Sequence, residues 1–461
     1  MISTHTLRLS FNRYNSPMIT KIEIDGYKGF EGFSLTFEPF TAIAGMNGVG
    51  KSNLFDAIRH LSLLATKTLR ESFESDRGSL YDLFTLYPDG SRKDIIAYSI
   101  EVLLPRTVTD QFSTSYDLKY LRLRYELKIG LDQRGQFLIK EERLKPIKRS
   151  EDSYFKKHAH LKETLPTLTG GRPPFIDSDL EKDTITISQD GRAGNKRVVS
   201  IKGAQRTILS SLTTTEFAHA YAVKKLLENI HYLQLNPEKL RRPCNFSSPN
   251  RLASDGEYLA AMIARLIKYD QDIEQMIANH LASLIPSIEG FELVHDKTRE
   301  EYVINVRHVD GYNVPAKLLS DGTLRMLALV AISYDPEFNG VIILEEPENG
   351  VHASRIPQIV KLLHEIATSS HDEHSQQIII NTHSLELIEV LYDNYLDNLV
   401  IAQPHKVTAS QGTHTTTNMS YCNKDGKNIF ALGAYNELMR NLKKMPPSRL
   451  CDAADCYRAF C

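Results

Sequence analysis

The chain has 461 residues, enough for two or three domains or for one large α/β domain carrying insertions. Hydrophobic residues make up 41% and charged residues 24%, the balance of an ordinary globular protein and not of a disordered one. Lys and Arg total 55 against 57 Asp and Glu, a net charge of −2, which excludes a globally basic nucleic-acid binder and leaves only a local patch for that role.

The amino terminus, MISTHTLRLSFNRYN, lacks an apolar core of signal-peptide length. The longest apolar run, near Gly340–Leu344, is far short of a membrane span. A cytoplasmic protein with no membrane partner is expected. MITKIEIDGYKGFEGFSLTF reads as two alternating strands, and FTAIAG as a buried strand ending in a glycine turn. Leu54, Ala57, Ile58, Leu61 and Leu64 then recur at helical spacing. DIIAYSIEVLLP, YLRLRYELKIGLD and QFLIKEERLKPI alternate apolar with polar residues, which predicts an antiparallel sheet buried on one face.

From about Ser150 to Thr215, TLPTLTGGRPPF and ISQDGRAGNKR read as an insertion with long loops. Helices are predicted at about Glu216–Ile230 and over EYLAAMIARLIK and DIEQMIANHLASLIP, without a sustained heptad. The last third alternates helix and strand. TLRMLALVAISY, RIPQIVKLLHEIA and LELIEVLYD are helical, while GVIILEEP, QQIIINTHS and NLVIAQP are strands. Val341–Leu344 and Ile378–Ile380 lack alternation, as central parallel strands do. From about Pro404 the chain reads as polar and irregular until a short helix near Ala434–Lys443. The predicted organisation is 1–149 (amino-terminal half of a head), 150–290 (inserted loop-rich and helical arm), 291–405 (carboxyl-terminal half of the head) and 406–461 (tail). Cys244, Cys422, Cys451, Cys456 and Cys461 form no CxxC pair, and their odd count predicts free thiols without zinc.

Gly45-Met46-Asn47-Gly48-Val49-Gly50-Lys51-Ser52 matches G-x-x-x-x-G-K-[ST] in full, in strand–loop–helix context. Glycines let backbone amides curl around phosphate without a Cβ in the way. Gly45, Asn47, Gly48, Gly50, Lys51, Ser52 and Asn53 are therefore the candidate cradle for ATP. Lys51 reaches the β- and γ-phosphates, and Ser52 is a candidate Mg2+ ligand. Val341–Leu344 delivers Glu345 and Glu346 at a strand end, where α/β sheets place ligands. Glu345 is the second candidate Mg2+ ligand, and Glu346 the residue that orients and polarises the attacking water.

Leu319-Ser320-Asp321-Gly322-Thr323 precedes a helix just upstream of the acidic strand, and Asn381-Thr382-His383-Ser384 ends the next strand. Alone, S-D-G-T is a good helix N-cap. With its neighbours it resembles the LSGGQ signature of ABC ATPases, with Asp321 and Thr323 departing from the commonest letters. The set of motifs, covering about Met18–Ser62 and Lys317–Ala402, resembles the RecF/OLD-like ABC ATPases (the AAA-15/AAA-21-like families), and within them the stand-alone ATPase subunits of bacterial anti-phage systems. The resemblance implies an α/β fold, an ABC ATPase head with an antiparallel β-lobe and an inserted helical arm. It implies that Ser320 and Gly322 bind the γ-phosphate held by a partner head, that His383 acts at the γ-phosphate, and that Glu348-Asn349-Gly350-Val351-His352 is the loop touching the partner. Tyr27 or Lys28 is implied to stack on adenine. A glutamine that senses magnesium is also implied; Gln111, Gln133, Gln136 and Gln234 all remain open.

That family hydrolyses ATP with Mg2+ between two heads, which implies a homodimer. No long coiled coil is visible, and Asp425, Asp452 and Asp455 stand in no strand-like setting after Ala402, so a chromosome-organising arm and a Toprim nuclease are not expected. The leading expectation is an ATPase whose dimer controls a separate effector protein in anti-phage defence. One alternative is a RecF-like repair ATPase binding DNA through Lys145, Lys148, Arg149, Arg241 and Arg242. Another is an ATP-gated scaffold with little turnover.

Overall fold

The computed structural model describes residues 17–74, 79–132, 134–158, 172–190, 195–368, 376–422 and 439–440. The chain opens with β1 (Met18–Asp25), β2 (Phe33–Thr36) and β3 (Phe40–Ala44), whose end runs through the glycine loop into α1 (Lys51–Leu64). Next come α2 (Leu69–Phe73), β4 (Ile95–Leu103), the hairpin β5 (Thr107–Thr109) and β6 (Ser115–Asp117), β7 (Arg122–Leu131) and β8 (Phe137–Pro146). The short α3 (Ser153–Lys157) leads to β9 (Ile176–Asp179), β10 (Thr184–Ser188), β11 (Lys196–Ser200), α4 (Ile208–Ser211) and α5 (Ala218–Glu228). Then follow β12 (Ile230–Leu233), α6 (Pro237–Leu240), β13 (Cys244–Asn245), α7 (Leu259–Tyr269) and α8 (Asp272–Leu284). After β14 (Ile288–Asp296), β15 (Glu301–His308) and β16 (Asn313–Pro315) come α9 (Asp321–Ser333), β17 (Val341–Glu345), α10 (Ile356–Thr368), β18 (Gln377–Thr382), α11 (Leu385–Asn394), β19 (Leu399–Ala409) and β20 (Gly412–Tyr421).

Two large sheets carry the fold. One has the order β12-β17-β18-β3-β19-β20, parallel except for β20, which returns antiparallel on β19. The uninterrupted apolar runs have a simple cause. Ile343, Ile379, Ile43 and Val400 point into one core with α1 and α5, while Ile342, Leu344, Ile378 and Ile380 point into a second with α9, α10 and α11. A strand feeding two cores has no polar face to show. The other sheet is antiparallel, order β11-β10-β9-β8-β7-β4-β1-β2. Its alternation is equally literal: Leu121, Leu123, Tyr125, Leu127 and Ile129 are all buried, with Arg124, Glu126 and Lys128 on the wet face. This is the α/β ABC-type P-loop head with an antiparallel lobe that the motifs implied.

Buried polar groups join the sheets. The Gln377 amide on β18 exchanges hydrogen bonds with the backbone of Ile19 on β1, at 2.9 and 2.8 Å. Arg122 on β7, 3% exposed, pairs with Glu101 and Asp152 and donates to Thr20 and the Val102 carbonyl.

The 150–290 segment contributes to both sheets. Its β9, β10 and β11 continue the lobe, and β12 forms the far edge of the central sheet. The two later helices of the expected arm, α7 and α8, pack against the small β13-β15-β14 sheet, and α8 also meets α9. The chain after Pro404 departs from the irregular expectation: β19 runs on to Ala409 and Thr-rich β20 pairs back along it. Pro404, which cannot donate to a ladder, faces Thr417 within the pair. Outside the described residues lie the MISTHTLRLSFNRY stretch, most of TLPTLTGGRPPF, the middle of ISQDGRAGNKR, Gln133, Asp425, all of the expected Ala434–Lys443 helix but 439–440, and Asp452, Asp455, Cys451, Cys456 and Cys461. Cys244 and Cys422 are buried. No helix among the described residues is long and apolar enough to cross a membrane.

Candidate nucleotide site

The glycine loop leaves the carboxyl end of β3, where the Gly45 amide donates to the Thr382 carbonyl of β18 at 3.3 Å. Gly50 caps α1 in the left-handed region, φ +97°, and as a glycine offers no capping side chain to the first amides of the helix. Those amides are left for an anion. A Cβ on Gly50 would lie 2.3 Å from Thr417 Oγ1, and one on Gly45 2.7 Å from the Ala402 carbonyl. The loop is therefore walled from behind by the β19–β20 hairpin. Asn47, Gly48 and Ser52 are exposed and Asn53 is half-buried. The Lys51 side chain folds back into the loop, donating to the carbonyls of Gly45 at 2.6 Å and Met46 at 2.8 Å. Burial pushes its pKa down to about 8, opposed by the carboxylates of Glu346 and Glu348.

Strand β17 brings the acids to the same end of the sheet. Glu345 pairs in register with Asn381 of β18. The Asn381 side-chain oxygen accepts from the Glu346 amide at 2.9 Å, which helps hold Glu346 at φ +45°, a conformation rare outside glycine. The Glu346 carboxylate lies 2.9 Å from His383 Nδ1 and accepts from Asn349 Nδ2 at 2.7 Å. The His383 bond, more than any other contact, lowers the Glu346 pKa, and the same bond raises that of His383. Burial raises the pKa of Glu345 while a hydrogen bond from Tyr232 on β12 counters it, and burial likewise raises Tyr232. Glu348, 7% exposed, accepts from the Thr382 hydroxyl, and burial raises it too. Glu345 and Ser52 offer hard oxygen donors, the chemistry Mg2+ takes together with phosphate oxygens and water. A dedicated all-protein cage is absent: among the described residues no cluster of three or more His, Cys, Asp or Glu could hold a metal.

Ser320 caps α9, its hydroxyl accepting from the Thr323 amide at 3.2 Å. It is exposed, whereas Gly322 lies buried against Val351. Asp321 pairs with Arg241 at 2.6 Å, and Arg355 donates to the Thr323 hydroxyl at 3.0 Å. The signature-like turn and the 349–355 loop thus form one block.

Tyr27 departs from expectation. It is fully buried, edge-on to His60 and near Tyr98, so it cannot stack on a base. Lys28 stays near the surface, at φ +47°, paired with Asp56 of α1 at 3.0 Å. Of the candidate glutamines, Gln234 follows β12 immediately. Leu233 is in register with Leu344, so Gln234 stands exposed at the strand end beside Glu345. Gln111 and Gln136 sit in the β5–β6 and β7–β8 turns of the lobe. The basic candidates are mostly engaged: Lys145 with Glu126 at 2.9 Å, Lys148 with Glu151 at 3.4 Å, Arg241 with Asp321 and Glu238, and Arg242 with Glu257 at 3.9 Å. Sequence reasoning missed Tyr232, Asp56 and Thr417, and it read Arg241 as a candidate for DNA binding where the structure pairs it with Asp321. Only Thr417 had a local signal, the β-branched run Thr415–Thr417.

Residues 40–389 match the family described as "AAA domain, putative AbiEii toxin, Type IV TA system". The chain belongs to this family. Part of it is also similar to proteins that organise chromosomes. A stretch of 61 residues is 48% identical to the chromosome partition protein Smc of Halothermothrix orenii, covering 13% of this chain and 5% of that protein. An 80-residue alignment is 38% identical to structural maintenance of chromosomes protein 1 of Arabidopsis thaliana, covering 17% of this chain and 6% of that protein. The chain therefore spans only about a twentieth of the length of these relatives. Among solved structures, an SMC head bound to the C-terminal winged-helix domain of ScpA aligns over 87% of this chain and 98% of its own at 14% identity, TM-score 0.48. The SMC head domain from Thermotoga maritima aligns over 88% and 99% at 14% identity, TM-score 0.39. This family member is an ABC-type P-loop ATPase by its fold and motifs.

Proposed function

We propose that the chain hydrolyses ATP with Mg2+ at a site shared between two copies, and that the resulting dimer controls a separate effector protein in anti-phage defence. The observation that carries the hydrolytic part is the meeting of Lys51 with the Glu346–His383 pair at the carboxyl ends of β3, β17 and β18. The loop amides from Gly45 to Asn53 and the Lys51 ammonium hold the phosphates. When Mg2+ is bound, Ser52 and Glu345 hold it, and it spreads the charge of the β- and γ-phosphates. Glu346, kept ionised and aimed by His383 and Asn349, orients the attacking water. Gln234, beside Glu345, is the glutamine that reports on the metal. Lys28 flanks the base.

The second copy follows from Ser320. It is an exposed serine at a helix start that serves phosphate only if another chain brings one. The effector and the defence setting rest on family likeness, including the toxin–antitoxin wording of the family description. The ion-paired state of the basic candidates supports effector control over direct DNA binding, and turnover measured with and without DNA separates the two.

Mixing inactive variants tests the shared site. Lys51→Ala disables the P-loop of its own chain. Ser320→Arg puts a bulky cation where the partner's phosphate docks. A mixed dimer has one site with both defects and one with neither, so about half the activity per mixed dimer returns if the sites are independent. Mixtures no more active than the separate variants, although mixed dimers form, would count against the shared site.

A further inference from the structure

The turn that starts α9 carries a charge problem on the sandwich reading above, on which this inference rests. Ser320 and the first amides of α9 are to meet a γ-phosphate. Yet the next residue is Asp321, whose side chain is 44% exposed. A carboxylate beside an incoming triphosphate repels it, and like charges brought together across an interface suppress association.

The structure shows why the carboxylate is kept and how it is offset. Asp321 sits at the first position of α9, where an acid suits the positive helix end. It lies under Gly350, whose added Cβ would be 3.4 Å from Asp321 Oδ2. It therefore helps seat the 349–355 loop. The Arg241 guanidinium reaches it from the end of α6, with one nitrogen 2.6 Å from Asp321 and another 2.6 Å from Glu238. Arg325, one turn further along α9, faces the same carboxylate together with Glu346 and Glu348. Arg241 comes from a segment distant in sequence, a few residues beyond Gln234, and its side chain is only 22% exposed. A half-buried arginine whose two terminal nitrogens each meet a carboxylate holds both in a defined geometry.

The geometry points to Arg241 as a positioning residue that neutralises Asp321 and so lets this turn accept the partner's nucleotide. It touches no nucleotide itself and acts through Asp321. Without it, Asp321 keeps only the more distant charge of Arg325 beside it, and the block formed by the signature-like turn and the 349–355 loop presents more negative charge to the γ-phosphate. An asparagine at 321 keeps the size and the hydrogen bonding and removes that charge, so it should make Arg241 dispensable.

The test uses full-length protein carrying Glu346→Gln, so that ATP is bound and not consumed. Its dimer dissociation constant is measured by mass in solution at saturating ATP. ATP binding to single chains is measured separately with a fluorescent ATP analogue, below the concentration of dimerisation. Adding Arg241→Met should weaken the dimer about tenfold for each of the two shared sites, about a hundredfold in all, with single-chain ATP binding unchanged. Adding Asp321→Asn to Arg241→Met should restore most of that loss, and Arg241→Lys should fall between parent and Arg241→Met. Arg241→Met behaving as the parent, or no rescue by Asp321→Asn, overturns the inference, because a purely structural arginine would not be rescued by removing its partner's charge. A different result, a Glu346→Gln parent that binds ATP and never dimerises, removes the shared-site reading itself and this inference with it.

Discussion

The two glycine- and serine-bearing turns of the chain look alike in sequence and are built in opposite ways. The P-loop turn is enclosed: β18 and the β19–β20 hairpin wall it, Lys51 lies within it, and Glu346 and Glu348 act on that lysine. The turn at Ser320 is open. It offers a capped helix start and an exposed serine, and its acid, Asp321, is already paired within the chain by Arg241. One turn is complete within its chain; the other has donors and no cradle. A helix start is a general anion site, and what makes it a catalytic one is the set of groups that the rest of the fold brings to it.

The largest expected effect separates chemistry from docking. Glu346→Gln keeps the hydrogen bond from Asn349 and that from the residue 346 amide to Asn381, and removes the charge that is proposed to polarise water. Turnover should fall by roughly a hundredfold to a thousandfold, the scale of removing one preorganised group at a reacting centre. ATP binding should persist, and the ATP-bound dimer should accumulate. Phosphate release measured beside mass in solution reads both. Near-normal turnover would remove Glu346 from the reaction.

The enclosed turn was also the more legible one. Its motif is contiguous, its strand and helix flank it, and helical spacing placed Leu54, Ala57, Ile58, Leu61 and Leu64 in the core, where they are all buried. What completes it was not legible. Tyr232 reaches Glu345 from a strand over a hundred positions earlier, and Thr417 packs on Gly50 from near the other end of the chain. Such pairings are fixed by sheet order, which no local period encodes. The β20 strand was hidden by polarity: its threonines suit a strand but signal no core. Tyr27 was misplaced for a related reason. It follows Gly26 at φ +77° and bridges to Phe30 and Phe84, so its ring turns inward beside Tyr98. The letters around it read only as a turn. The segment expected as a loop-rich and helical arm contributes strands to both sheets, and β9–β11 were not legible because they are short and flanked by loop-like composition.

A smaller effect sharpens the contrast through glycine. Gly50→Ala forces a Cβ to within 2.3 Å of Thr417 Oγ1 at a positive φ, so it should destabilise the isolated chain by about 2 kcal/mol or more and loosen the phosphate cradle. Gly48→Ala also sits at positive φ but has nothing within 4 Å, so it should cost only the backbone term, about 1 kcal/mol. At the open turn, Gly322 has ordinary contacts, the nearest 3.5 Å, and lies in a helix. Gly322→Ala should leave chain stability at or slightly above the parent, with any loss confined to ATP-dependent dimerisation. Denaturant unfolding of the three variants checks the order. A Gly50→Ala protein as stable as Gly48→Ala would mean that the β19–β20 hairpin does not press on the loop.

A further effect is one that only the enclosed turn can show. Burial holds the Lys51 pKa at about 8 in the free chain. Phosphate oxygens favour the charged ammonium, so its pKa is higher in the ATP complex. Below about pH 8 both states keep the proton, and affinity does not depend on this group. As pH rises above that value, the free chain loses a proton that the complex retains. Binding must then take the proton back, and affinity falls by up to about tenfold per pH unit until the higher pKa of the complex is passed. Titrating ATP binding to single chains from about pH 7 to about pH 9.5 measures the slope. Lys51→Arg carries a cation that does not titrate in this range, so its profile should be flat even if its affinity is lower. On the proposed shared site, the open turn would meet phosphate through a hydroxyl and backbone amides, which have no proton to lose there. Once ATP is bound, the association of Glu346→Gln chains should therefore change far less over the same interval. A parent profile as flat as that of Lys51→Arg would place the charge of Lys51 away from the phosphates. An equal slope in the dimerisation step would mean that the titrating group belongs to the interface and not to the P-loop.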